Sequence, residues 1–560
     1  MLWRIPKGCR RCKALRAESL RPKDRETQRA CPCTPFFSPP LPCFRAPGRR
    51  AGSEGAAKQQ AARKKEERLE ALFDAINDAL AAIDDFIWGP PLMALILFGG
   101  ILLTLRLRGL QFIRLPRALR YMVKNEKDGS GEVTSFGALC TALSATIGTG
   151  NIVGVGTAVL AGGPGAILWM WLTGVFGMAT KYAETFAAVK YRVKDHSGKM
   201  LGGAMYALER GFKNKKLGRV LAVLFALFAS LAAFGIGAST QSNSLADALY
   251  NTSLIDGAAI PQWLVGIVVV ALVAIVILGG IKSISRVCEK LVPVMAIFYV
   301  ACCIIIIGIN GQFLGEAIRQ IIVGAFTPAG AAGGAVGSTV TLALQFGFKR
   351  GIFSNESGMG SAPLVASSAT TKNPARQALV SMTGTFWDTV VVCLLTGLML
   401  MTTLLANPEL STAIANGTIS SGAGLATAAF EKIPAFGPLV LLVGLITFTY
   451  STILGWSQYG NRAISYLLGK KAVLPYYIVF LLFVFWGCMM VGDATGSAAV
   501  SNLSSVVWNF ADVMNALMAI PNCIAVLGLS AIIARETKHY VYDGNLDEVD
   551  DTEIPQYDEK

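Results

Sequence analysis

Apolar positions along the chain fall into long runs parted by short polar breaks, without the two-residue alternation of a membrane β-strand. Runs such as WLVGIVVVALVAIVILGGI (Trp263 to Ile281) and LVPVMAIFYVACCIIIIGI (Leu291 to Ile309) reach the roughly 20 residues an α-helix needs to cross hydrocarbon. Eleven such spans are predicted, at about 86–107, 136–162, 165–190, 218–248, 262–280, 289–310, 334–360, 376–404, 435–467, 473–492 and 499–534. Three carry polar, glycine-bearing interruptions: SATIGTGN (Ser144 to Asn151), GIFSNESGMGSAP (Gly351 to Pro363) and TFTYSTILGWSQYGN (Thr447 to Asn461). A helix broken in lipid leaves N–H and C=O groups unpaired at several kcal/mol each, so a break persists only where protein, water or a ligand satisfies them.

With the first span taken as peripheral, the other ten divide into two groups of five, and the first two interruptions fall in the opening helix of each group. That is the pattern of inverted-repeat secondary transporters with broken helices at the midplane.

Composition agrees with a multispanning membrane protein: of 560 residues, 53% are hydrophobic and only 15% charged. The net charge of +14 suggests nucleic acid until its location is read, because residues 1–68 hold 18 Lys/Arg against 6 Asp/Glu and supply +12 of it. This leader has no apolar h-region and is not a secretory signal peptide. Its Cys9, Cys12, Cys31, Cys33 and Cys43 lack the spacing and the nearby histidines of a zinc site. Residues 1–68 read as a disordered or spurious leader, 69–535 as the membrane domain and 536–560 as an acidic, solvated cytoplasmic tail. The seven cysteines in apolar segments read as small hydrophobes.

Loops at 106–127, 181–219, 282–290, 349–376 and 462–471 are basic, and those at 249–261, 405–434 and 493–498 are nearly free of Lys and Arg. The alternation predicts an outside N-terminus and a cytoplasmic C-terminus. That topology would place the basic leader outside, against the bias the other loops obey.

GTGNIVGVGTAVLAGGPGAILWMW, MATKYAE, LGGAMYALERG, RGIFSNESGMGSAP and STILGWSQYGNRA closely resemble the bacterial alanine/glycine:cation (sodium) symporter family, over about Leu69 to Arg535. The resemblance implies an all-α integral membrane protein of about 11 transmembrane helices, a leucine-transporter-like 5+5 inverted repeat preceded by one peripheral helix. It also implies symport of a small neutral amino acid, alanine or glycine, with sodium, at the bacterial plasma (inner) membrane, with no organic cofactor. The sequence departs from the family pattern at Ala204, at Ser239-Thr240 and at Asn461-Arg462, the last at an expected cytoplasmic gate.

Glycines let a ligand approach the backbone, and the freed N–H groups of a half-helix favour a carboxylate. A zwitterionic amino acid fits both ends of such a break. Its carboxylate would meet amides of Gly148, Thr149 and Gly150, and its ammonium Asn151 and the turn Phe353, Ser354, Asn355. Taken alone, GTGNIVGVG suits close helix packing equally well; the second interruption at the equivalent place favours a ligand. The family pattern adds Gln241 to the substrate site, and Trp456 reads as a wall that limits the side chain. It likewise points to a sodium site formed by Ser451 and Thr452 with the carbonyls of Ala145 and Gly148, where a Ser-Thr pair would otherwise bond back to its own helix. Asp388 lies about twelve residues, roughly 18 Å, into its span. Bracing the broken helices, touching the cation and carrying a proton all stay open for it, and Glu356 shares that ambiguity beside a capping role.

An ion channel would need carbonyl or carboxylate rings in an oligomer. An enzyme would need a catalytic constellation, and the two histidines, His196 and His539, fall in a loop and at the tail. A chain lacking residues 1–68 is expected to insert into membranes and to express as the full chain does. Membrane fractionation checks this, and loss of insertion contradicts it.

Overall fold

The apolar runs form helices because a membrane-spanning chain must pair its backbone within each segment. The computed structural model describes residues 71–557, with residue 68, apart from 125, 127–128, 252–259, 328–339, 434–435 and 492–497. Residues 1–67 of the leader, with its five cysteines, lie outside the described residues.

Every predicted span is occupied. The helices are α1 (Ala71–Arg106), α2 (Ser135–Thr146) with α3 (Gly150–Gly162), α4 (Gly165–Lys190), α5 (Lys215–Tyr250), α6 (Gln262–Ile277), α7 (Gly280–Ile309), α8 (Val340–Asn355), α9 (Pro374–Ala406), α10 (Gly437–Leu468), α11 (Val473–Met489) and α12 (Ala498–Thr537). By length and apolarity, seven helices among the described residues qualify as crossings, and α2 with α3, bent by 52°, makes an eighth. The structure thus supports eight crossings among the described residues, not the eleven expected. The shortfall has a physical reason in α4, where almost every residue from Thr173 to Val189 is buried in protein, so Lys181 and Glu184 need not face lipid.

Counterparts of the two groups of five lie against each other: α3 on α8, α4 on α9, α5 on α10 and α6 on α11. A pseudo-two-fold axis through the centre would place them so, which agrees with the 5+5 division. The first helix packs outside this core, on α4 and α12. An ion cluster fixes it there. Lys349 of α8 bonds Asp84 of α1 and lies 3.3 Å from Asp512 of α12, while Trp88 Nε1 donates to the Asp512 carbonyl at 3.1 Å.

The acidic tail docks through its backbone, while the side chains of Asp543, Asp547, Glu548, Asp551 and Glu553 stay exposed. Tyr557 N donates to Lys194 O at 2.7 Å and Lys194 N to Pro555 O at 2.9 Å, extending the short hairpin Val193–Lys194 with Met200–Leu201. Asn373 Nδ2 donates to the carbonyls of Leu546 (3.0 Å) and Glu548 (2.9 Å), and Tyr542 OH to Leu107 O at 2.6 Å. The tail thus lies across three of the basic loops, with Val541 and Leu546 buried. Peptide pairing and apolar anchors hold a segment whose charge alone reads as solvated.

Replacing Lys349 with Met would leave Asp84 and Asp512 buried without their cation, a change that costs about 3–5 kcal/mol in buried ion pairs. Thermal unfolding of the detergent-solubilised variant should show a clearly lowered midpoint, and an unchanged one contradicts the cluster's role.

Candidate functional site

Each break closes on a side chain that repairs it. After α2 the chain leaves helical geometry at Ile147 and resumes as a π-turn over Gly150–Gly154. Gly148 N, one of the amides the break frees, donates to Asn151 Oδ1 at 2.9 Å, and Asn151 N donates to Gly148 O at 3.2 Å. Gly148 and Gly150 carry no β-carbon for steric reasons. At Gly150 one would meet Ser354 Cα at 3.3 Å and the Phe353 ring at 3.4 Å, and at Gly148 it would strike Thr452 Oγ1.

The second break follows Asn355, with Glu356 at φ +53° and Gly358 at φ +95°. Asn355 Oδ1 accepts from Ser357 N at 2.9 Å. From α4, Lys181 Nζ donates to Glu356 O at 2.9 Å and Glu184 Oε1 accepts from Gly358 N at 2.8 Å. Asn522 of α12 donates to the same Glu184 oxygen at 2.5 Å, and Ser361 Oγ to Glu356 Oε2 at 2.5 Å.

The breaks meet at Asp388, which is fully buried in a π-helical stretch of α9, Phe386–Cys393. Its carboxylate accepts from Asn151 Nδ2 at 2.7 Å, Ser354 Oγ at 2.9 Å and Thr389 Oγ1 at 2.6 Å. Of the roles left open for Asp388, contact with both broken helices is the one this geometry displays. Within the same region Lys181 is buried with three buried carboxylates, Glu184, Glu356 and Asp388. Such an excess draws positive charge.

Gln241 reaches the first break, its Oε1 accepting from Thr149 Oγ1 at 3.4 Å. Trp456 is buried against Gly237 of α5 and edge-on to Tyr459, ring centroids 5.2 Å apart. Its indole N–H is buried with no partner among the described residues. Asn355 also donates to Thr173 Oγ1 at 3.2 Å. A cavity of about 450 Å³ opens on Thr149, Gly150 and Phe353, with Arg350, Trp508 and the Ser420–Gly422 stretch on its walls.

Ser451 and Thr452 bond back to their own helix and also reach the first break. They donate to Phe448 O of their own helix at 2.9 and 2.8 Å, and at 3.5 Å each they face Ser144 O and Ile147 O. These carbonyls each precede by one residue the Ala145 and Gly148 expected. Ala145 itself packs on Gly455, where an added β-carbon would lie 2.7 Å from the Ala145 methyl.

At the opposite end of α10, Arg462 Nη2 reaches Glu132 Oε1 at 3.2 Å and Ser368 Oγ at 2.8 Å, while Asn461 Nδ2 donates to Tyr477 OH at 2.6 Å. The departure at Asn461-Arg462 is thus a cross-link between the segments before α2 and after α8. Sequence reasoning assigned no role to Lys181, Glu184 or Thr389. A Lys and a Glu three residues apart within an apolar helix were the available signal for the first two.

A sequence model of the sodium:alanine symporter family matches residues 73–553. An "uncharacterized transporter" of Haemophilus influenzae is 48% identical over 86% of this chain and 99% of its own length. The "sodium/alanine symporter AgcS" of Methanococcus maripaludis is 46% identical over 82% and 96%. Among solved structures, MhsT in complex with L-phenylalanine overlaps 73% of this chain and 99% of its own, at 16% identity and a TM-score of 0.47.

Replacing Asp388 with Ala would remove the carboxylate that three buried donors share, leaving Asn151 the carbonyl of residue 388 at 3.2 Å and Asn151 and Ser354 the Cys393 sulfur at 3.3 Å, at about 1–3 kcal/mol for a donor left unpaired. The variant should unfold at a markedly lower temperature in detergent, and Asp388→Asn, which keeps one acceptor, should fall between it and the parent. Equal midpoints for all three would contradict the brace.

Proposed function

We propose that this chain, which belongs to the sodium:alanine symporter family, imports a small neutral amino acid together with sodium by alternating access. The observation that carries the reading is the meeting of two broken helices at one buried carboxylate, beside the first break's cluster of Thr149, Gly150 and Gln241. Alanine and glycine are the substrates best matched to it.

In this reading the amino acid lies between the breaks. Its carboxylate takes amides of the Gly148 to Gly150 turn, with Gly148 N released from Asn151 or shared with it. Its ammonium is drawn by the excess of buried carboxylate and takes oxygens near Asn151 and the Phe353, Ser354, Asn355 turn. Gln241 supports the first break, and the unpartnered indole of Trp456 closes the side-chain end. Sodium takes the hydroxyls of Ser451 and Thr452 with carbonyls of the Ser144 to Gly148 stretch, as unwound backbone supplies oxygens without another buried charge. Asp388 braces both half-helices, so filling the site on one bears on the other. The Glu132–Arg462 contact stands as a gate on the face of the basic loops, while the cavity lies beside Ser420–Gly422 of a segment poor in Lys and Arg.

In proteoliposomes, labelled alanine should accumulate when an inward sodium gradient is imposed and not when potassium replaces sodium. Accumulation independent of the cation gradient contradicts symport. The double variant Ser451→Ala, Thr452→Val should raise the sodium concentration for half-maximal uptake by roughly tenfold, the loss of one or two cation oxygens at about 1.4 kcal/mol. An unchanged sodium dependence places the cation elsewhere.

Trp456→Leu should weaken competition by glycine and alanine while relatively favouring valine and leucine. A pocket distinguishes one methylene by about 1–3 kcal/mol, so the shift in rank is measurable by competition uptake. A uniform fall across all four competitors would assign Trp456 to the fold.

A further inference from the structure

A groove of about 860 Å³ lies between α6, α7 and α10, and no residue of the two helix breaks lines it. Leu264, Val268 and Leu272 of α6 and Leu291 and Val294 of α7 line it, with Tyr450 of α10 at its back. Tyr450 gives its hydroxyl to Leu272 O at 3.1 Å, so the wall offers hydrocarbon and almost no free polar group. Val268 is 48% and Val294 68% exposed, on helices whose other exposed side chains face the bilayer. A lipid chain is the material at hand to fill such a surface.

One edge of the groove is cationic. Arg286 and Lys290 of α7 line it, and Lys282 continues the row at the same four-residue spacing, which puts the three on one helix face. All three are exposed, and none has a hydrogen-bond or ion-pair partner among the described residues. The neighbouring acid, Glu289, is already engaged by Thr134 Oγ1 at 2.7 Å. Arg286 and Lys290 stand about 9 and 15 Å along α7 from Gly280, within reach of the interface for side chains that extend their charge toward water.

We infer that this groove binds one anionic glycerophospholipid, its phosphate held between Arg286 and Lys290 and one acyl chain laid along Leu264, Val268 and Leu291. Charge complementarity selects the headgroup. Two to three cations meet a net negative lipid favourably. Tyr450 precedes Ser451, and Ser451 Oγ lies 3.5 Å from Met295 Sδ of α7. An occupied groove therefore stiffens the wall behind the proposed cation site. That last consequence rests on the proposed function, whereas lipid binding does not, so the test reads binding alone.

The full chain in a mild detergent is titrated with phosphatidylglycerol and, separately, with phosphatidylethanolamine of the same chains, and bound lipid is counted by native mass spectrometry. The expected result is one phosphatidylglycerol held roughly tenfold or more tightly than phosphatidylethanolamine. Arg286→Gln with Lys290→Gln should abolish the preference. Val268→Trp should weaken phosphatidylglycerol with every charge in place, and Arg117→Gln with Arg120→Gln, on an exposed helix elsewhere, should leave it intact. Equal binding of the two lipids by the parent, a preference surviving in the Arg286/Lys290 variant, or equal loss in the Arg117/Arg120 control would overturn the site.

Discussion

A backbone broken inside the membrane must find partners for the groups the break releases. At the first break an asparagine one turn away accepts from the freed amide of Gly148. At the second, a lysine and a glutamate reach across from α4 to the carbonyl of Glu356 and the amide of Gly358. Asp388 then ties Asn151 to Ser354 and makes two local repairs into one centre. A buried charge persists only where it is hydrogen-bonded, and the groups freed by the breaks supply such bonds here.

The same arrangement gives the centre its chemistry. Three carboxylates with one lysine leave it short of positive charge, and the groups that satisfy the breaks are those a ligand would borrow. Around it the two faces differ. On the side of the basic loops, Glu132 with Arg462 and the packed tail cover the approach to α2. Toward Ser420–Gly422 a cavity leads to Thr149 and Gly150. The two faces thus differ in how open they leave the first break.

Much of this was legible in the sequence. Long apolar runs fixed the helices, and glycine with polar residues inside them fixed the breaks, because hydrocarbon tolerates neither without compensation. The role of Asp388 was visible only as depth; its partners lie on two distant segments, and helix rotation decides which side chains meet. Rotation also explains why Ser451 and Thr452 face Ser144 and Ile147, one residue short of the carbonyls expected. The docking of the tail was hidden because charge is a property of side chains, whereas the docking runs through peptide groups of Lys194 and Lys372. Lys181 and Glu184 stood in a recognised motif, yet nothing in the sequence says that they turn toward the second break.

The proposed sharing of the space around these breaks by amino acid and sodium is read by equilibrium binding without gradients or turnover. Labelled alanine is titrated onto the purified protein at a series of sodium concentrations, with potassium holding ionic strength constant. Linkage between adjoining sites requires the alanine affinity to rise with sodium, by a factor of about 5–150 between none and saturation. An alanine affinity that is measurable and the same at every sodium concentration would contradict the account.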